Sequence, residues 1–250
     1  MFARSYSFLL SEWKVLLSFA LILGIVGILS DTGVLKSSST YSTIASILVS
    51  YMVIKSILFN VRMGGNAGTN SKPTPRLAFF FKSISLQFGA AAVGGGIYFL
   101  SPLWRLETDD YDVFLVKFLM FFLPIYSIVY ALLGTWLAAD VYGNEKSLGE
   151  AFARGRKNFV SNFLIVLLTT VVQIGLAFVL VGILPQHLGH PLDLVGSKTD
   201  LLIDYLLNFA ASVSSVTEDV LLSVMVALLY LAHLNSGANE IVIATEEANS

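Results

Sequence analysis

The chain has 250 residues, of which 56% are hydrophobic and only 13% charged, with a mean hydropathy of +0.77. That is far more apolar than a soluble domain dividing its residues between core and surface. The 15 Lys and Arg against 17 Asp and Glu leave a formal net charge of −2, which gives no reason to expect nucleic acid as a partner. There is no cysteine, so disulfides, thiolate nucleophiles and cysteine-held metals are excluded together.

A bilayer crossing takes about 20 apolar residues, because a helix rises about 1.5 Å per residue. In chain order the expected spans are 13–30, 41–60, 77–100, 113–138, 159–184 and 219–234. The fold class is therefore all-α, a polytopic transmembrane bundle of one domain. Residues 1–10 read as an aromatic-rich interfacial prelude. A cleaved signal peptide fits poorly, since Glu12 stands just ahead of the apolar core and no small-x-small site follows. Near the C-terminus, Asp204 and Asn208 lie in one apolar run, and Glu218 and Asp219 interrupt the next. The preferred reading is an interfacial or re-entrant helix over about 200–214 followed by a short span over 219–234. A single long tilted helix is the alternative.

Basic residues set the orientation. Arg4, Lys14, Arg62, Lys72, Arg76, Lys146, Arg154, Arg156 and Lys157 fall on one side, and Lys36, Arg105 and Lys198 on the other. The positive-inside rule places both termini in the cytoplasm. Lys55, Lys82 and Lys117 sit just inside span ends and are expected to snorkel to the headgroups.

Within hydrocarbon, helices associate through close contact at small residues four apart. The third span offers Ala90/Gly94, Ala91/Gly95 and Ala92/Gly96 in the run Gly89-Ala-Ala-Ala-Val-Gly-Gly-Gly96, and the first span offers Ala20/Gly24. Pro124, near the middle of the fourth span, removes a backbone donor and is expected to kink it. Tyr126, Ser127 and Tyr130 follow it and could satisfy the freed carbonyls or line a cavity. Other polar residues at depth are Gln87 in the third span and Thr169, Thr170 and Gln173 in the fifth. No ionisable group is expected at the bilayer midplane, which argues against ion coupling. Nor do the halves repeat as an inverted pair with matched broken helices.

Candidate chemistry is sparse. His187 and His190, with Asp193, have zinc-compatible spacing, but Gly189 and Pro191 bracket the second histidine and favour an ordinary loop. Asp109, Asp110 and Asp112 read as a solvated outer loop, and His233 as a headgroup-level residue. Glu218 and Asp219, about 100° apart on a helix, are expected to mark the start of the last span, where acidic groups suit a helix N-terminus. No phosphate-binding, metalloprotease or serine-hydrolase motif occurs. No catalytic residue, metal or cofactor is expected. In the loop before the fifth span, Ser147 can cap a helix with Glu150 as reciprocal partner. That helix then carries Glu150, Arg154, Arg156 and Lys157 as a patch for anionic headgroups or a partner.

Three stretches carry a resemblance: Phe2-Ala-Arg-Ser-Tyr-Ser-Phe-Leu-Leu10, Ser147-Leu-Gly-Glu-Ala-Phe-Ala-Arg-Gly-Arg-Lys-Asn158, and Leu229-Tyr-Leu-Ala-His-Leu-Asn-Ser-Gly-Ala-Asn-Glu240. Together they resemble a broad prokaryotic group of six-helix integral membrane proteins related to the membrane domain of glycerophosphoryl diester phosphodiesterases. Ala232 and Asn235 depart from the acidic and basic residues of that group's tail pattern. The resemblance implies a membrane module of unsettled role in a prokaryotic plasma membrane, without phosphodiesterase activity.

The sequence thus predicts a non-catalytic membrane module that meets lipids or a protein partner, or serves as a subunit of a membrane complex. One alternative is a permease-like protein moving a small or amphiphilic solute through a cavity at Gln87, Pro124, Tyr126, Tyr130 and Gln173. The other is an intramembrane lipid-modifying enzyme, for which no clustered acid, base or metal ligand can be cited.

Overall fold

A computed structural model of the chain describes residues 2–31, 38–63, 76–101, 111–143, 147–179, 183 and 198–248. All regular structure among them is helical: α1 (Phe2–Ser11), α2 (Trp13–Asp31), α3 (Ser38–Phe59), α4 (Arg76–Leu100), α5 (Tyr111–Leu133), α6 (Thr135–Val141), α7 (Leu148–Lys157), α8 (Phe159–Phe178) and α9 (Lys198–Ala248). The fold class is all-α.

Among the described residues, four stretches are long and apolar enough to cross a membrane: Thr40–Phe59, Leu77–Leu100, Phe159–Leu176 and Tyr205–Asn235. A fifth arises if Lys117–Leu133 and Thr135–Val141, bent by 41°, form one span. The apolar part of α2, Trp13–Gly27, is shorter than these. This is the make-up of a multi-pass membrane protein, by length and composition.

The residues cluster into two compact units, each assembled from separated segments. The first comprises Met1–Ser56, Arg62–Gly65 and Leu168–Val224; the second comprises Ile57–Val61, Asn66–Leu167 and Met225–Ser250. Neither can be read as one stretch of sequence.

In the first unit, α1 gives way to α2 at Glu12, whose amide donates to Phe8 O (3.0 Å) and whose carbonyl accepts from Val15 N (3.0 Å). Ala20 and Gly24 of α2 are buried, and a Cβ on Gly24 would stand 3.3 Å from Phe209 Cα of α9. The expected small-residue contact of the first span is therefore made, against α9.

Helix α9 corrects the reading of the C-terminal region. No break separates an interfacial helix from a short last span, and one helix runs Lys198–Ala248. The stretch 198–236 contains neither Gly nor Pro, the residues that most readily interrupt a helix. Two of its hydroxyls turn back onto their own backbone, Ser212 Oγ to Asn208 O (2.7 Å) and Thr217 Oγ1 to Val213 O (2.8 Å). Hydroxyls bonded in this way are satisfied within the helix, at a slight cost to its stability.

In the second unit, α4 packs along α5 and also meets α6, while α7 rests on α5 and α6. α5 continues through Pro124, and the marked bend falls instead at Gly134, between α5 and α6. A Cβ at Gly134 would lie 2.6 Å from Tyr130 O and 2.9 Å from Val226 Cγ2, so only glycine fits the turn. Of the three small-residue pairs in α4, only Ala90/Gly94 is buried, with the Gly94 Cβ position 3.4 Å from Phe122 Cα. Ala91, Ala92 and Gly96 are exposed and Gly95 is half-buried, with open space around both glycines. Helical geometry lets one stripe face α5, and the adjacent stripes turn away from it.

Candidate functional site

The largest departure from the sequence reading concerns Glu218 and Asp219. They do not start a helix. They lie near the midpoint of the apolar stretch Tyr205–Asn235. Consecutive helical residues point about 100° apart, and the two carboxyls accordingly meet different neighbours. Asp219 Oδ1 accepts a hydrogen bond from Ser46 Oγ of α3 at 2.8 Å. Glu218 faces the Thr170 hydroxyl of α8, outside strict hydrogen-bond geometry. Ser46 and Thr170 are themselves interior to the apolar stretches Thr40–Phe59 and Phe159–Leu176. All four residues belong to the first unit. Neither carboxyl forms an ion pair with a described Lys, Arg or His. About 15 Å along α9 from the pair, Gly27 of α2 makes a close approach, its Cβ position 3.2 Å from Asn208 Oδ1.

In the same unit, α1, α2 and α9 flank an open apolar cleft of about 200 Å³, lined by residues including Leu9, Trp13, Leu17, Val213 and Val216 but by neither carboxyl. Lys14 Nζ stands 5.8 Å from the Trp13 ring centroid, the geometry of a cation–π contact.

The second unit holds a different polar assembly. Lys82 does not snorkel. Its ammonium donates to Asp140 Oδ1 at 2.6 Å and lies 5.1 Å from the Trp136 ring centroid. Asp140 is 4% exposed, and a carboxylate so buried requires a counter-charge. Its other oxygen, Oδ2, has no hydrogen-bond partner.

Helix α7 starts as expected, with Ser147 Oγ accepting from Glu150 N. Its packing differs from the expected flat basic patch. Ala151, Arg154 and Gly155 are buried against α5 and α6, and Glu150, Arg156 and Lys157 are exposed. A Cβ on Gly155 would stand 2.7 Å from Ala131 O. That backbone contact draws Arg154 inward. Its Nε donates to Thr135 Oγ1 (3.3 Å), its Nη1 lies 3.7 Å from Glu150 Oε2, and the guanidinium covers the Tyr230 ring at 5.4 Å. Burial pulls the Arg154 guanidinium below its ordinary value, while Tyr230 and Glu150 act in the opposite direction.

The five cavity candidates do not form one site within either unit. Gln173 is buried in the first unit, whereas Gln87, Pro124, Tyr126 and Tyr130 lie in the second. Tyr126 and Tyr130 continue an aromatic ladder along α5: Phe118–Phe122 and Phe122–Tyr126 at 5.6 Å, and Tyr126–Tyr130 at 4.6 Å between ring centroids. Ser127 Oγ donates to Leu123 O at 2.8 Å.

The His187, His190 and Asp193 loop lies outside the described residues, as do Asp109, Asp110 and the Asp112 side chain. Among the described residues no group of three or more His, Asp or Glu is placed to hold a metal ion. No family model, curated protein or solved structure matches the chain.

Proposed function

We propose that this multi-pass membrane protein is a permease-like carrier of a small or amphiphilic solute, with the Glu218–Asp219 pair at its working centre. The observation that carries this reading is Asp219, at mid-stretch in α9 and held by Ser46 with no counter-charge among the described residues. Ionisable groups at such depth are costly and are kept where an ion or solute is handled. The sequence reading favoured a non-catalytic module largely because no such group was expected at depth. With that premise removed, the carrier is the better-supported choice.

The positive-inside distribution supports placing both termini in the cytoplasm, and the resemblance to a prokaryotic membrane group supports a prokaryotic plasma membrane. The three motif stretches support kinship with the membrane domain of glycerophosphoryl diester phosphodiesterases at the level of layout only. No cofactor or nucleic acid enters this reading.

The test is uptake of a panel of small and amphiphilic solutes into proteoliposomes under an imposed ion gradient. Wild type should accumulate at least one solute above empty liposomes, and Asp219→Asn should abolish the uptake. Folded protein that moves nothing, and instead co-purifies in fixed ratio with another membrane subunit, would return the module reading to first place.

A further inference from the structure

Two carboxyls on consecutive residues of α9 turn toward different helices, Glu218 toward α8 and Asp219 toward α3. They therefore cannot wrap one metal ion between them. Each meets a single hydroxyl, far fewer oxygens than the six to eight that a calcium ion takes, and no third ligating side chain joins them among the described residues. The other titratable side chains described in this unit are Glu12, Lys14, Tyr41, Tyr51, Lys55, Arg62 and Tyr205, and none is paired with Glu218 or Asp219. A second observation comes from α8. Thr170 is only 5% exposed, yet its hydroxyl oxygen is buried without a hydrogen-bond partner and faces Glu218. A buried hydroxyl left unmatched is costly, and the Glu218 carboxyl is the group placed to pair with it, as an acceptor when ionised and as a donor when protonated.

We infer that the ligand of this intramembrane site is the proton. Glu218 binds and releases it, the neutral acid donating its O–H to Thr170 Oγ1, and Asp219, held by Ser46, is a second proton-binding carboxyl. The step is carboxylate plus proton giving carboxylic acid, with no bond to carbon changed and no electron transferred. This deepens the carrier reading and rests on it for its purpose, since a carrier coupled at this site would be driven by a proton gradient.

The experiment uses the full chain in lipid nanodiscs treated with dicyclohexylcarbodiimide, an apolar reagent that reacts with protonated carboxylic acids. Intact mass and peptide adducts are followed from acid to alkaline pH, with and without sodium chloride. The expected result is an adduct at Glu218 that declines as pH rises, is insensitive to sodium, disappears in Glu218→Gln and persists in Asp219→Asn. No adduct at any pH in folded wild type would overturn the inference, and so would protection by sodium at constant pH. Labelling needs no transported solute, so proton binding without solute uptake would defeat only the carrier reading. Sodium protection together with solute uptake would defeat only the proton assignment.

Discussion

Ser46 Oγ donates a 2.8 Å hydrogen bond to Asp219 Oδ1, joining α3 to α9 in the interior of two apolar stretches. The two residues are 173 positions apart in sequence. Interhelical hydrogen bonds of this kind are worth about 0.6 kcal/mol on average and rarely more than about 1.7. The contact therefore positions a carboxyl more than it stabilises a fold.

A double-mutant cycle of Ser46→Ala and Asp219→Ala measures that contact. Thermal unfolding in detergent should show a coupling of about 0.5–1.5 kcal/mol between the two sites. Strict additivity would mean that the bond contributes nothing.

Lys82→Met should be much more damaging than its place near a span end suggests. It leaves Asp140, with its carboxyl only 3% exposed, buried without its cation, at a cost of about 3 kcal/mol. Adding Asp140→Leu should restore much of the loss, because an apolar pair of similar volume needs no counter-charge. Equal melting temperatures for wild type and Lys82→Met would refute the structural role assigned to the pair.

Gly155→Ala should loosen α7. The new methyl would meet the backbone carbonyls of Ala131 and Leu132, which cannot swing aside as a flexible side chain could, so a cost of about 1–3 kcal/mol is expected. Limited trypsin digestion should then cut at Arg154, which is buried in the wild type. Gly175→Ala is the control, since nothing lies within 4 Å of that position. Identical digestion patterns for the two variants would contradict the close α5–α7 contact.

The absence of cysteine makes topology directly measurable. Ser101→Cys and Lys157→Cys place one thiol each beyond opposite ends of the spans Leu77–Leu100 and Phe159–Leu176. A membrane-impermeant maleimide added to intact cells should label the first and leave the second unmodified until the membrane is permeabilised. The opposite pattern would invert the proposed orientation.

Much of the helical framework was legible in the sequence. Burying a helix in hydrocarbon demands an apolar run of a certain length, so the stretches around 41–60, 77–100 and 159–176 could be read from hydropathy alone. The Ser147 cap was legible too, because a cap uses neighbours within one turn. The site was not. Glu218 and Asp219 resemble a helix start when viewed locally, and Lys82 resembles a snorkelling end. Their partners Ser46, Thr170 and Asp140 carry no local mark. An uninterrupted run without Gly or Pro across 198–236 was the available signal that the acids sit inside one long helix.

Composition and the spacing of charged gaps thus dictate an all-helical membrane chain, since each apolar run must satisfy its own backbone in lipid. Which stripe of α4 meets α5, where the α5–α6 bend falls, and which hydroxyl stands opposite each mid-stretch carboxyl depend on contacts between residues far apart in sequence. Those contacts arise only when helices pack, and packing turned Glu218 and Asp219 from a boundary marker into the centre of the candidate site.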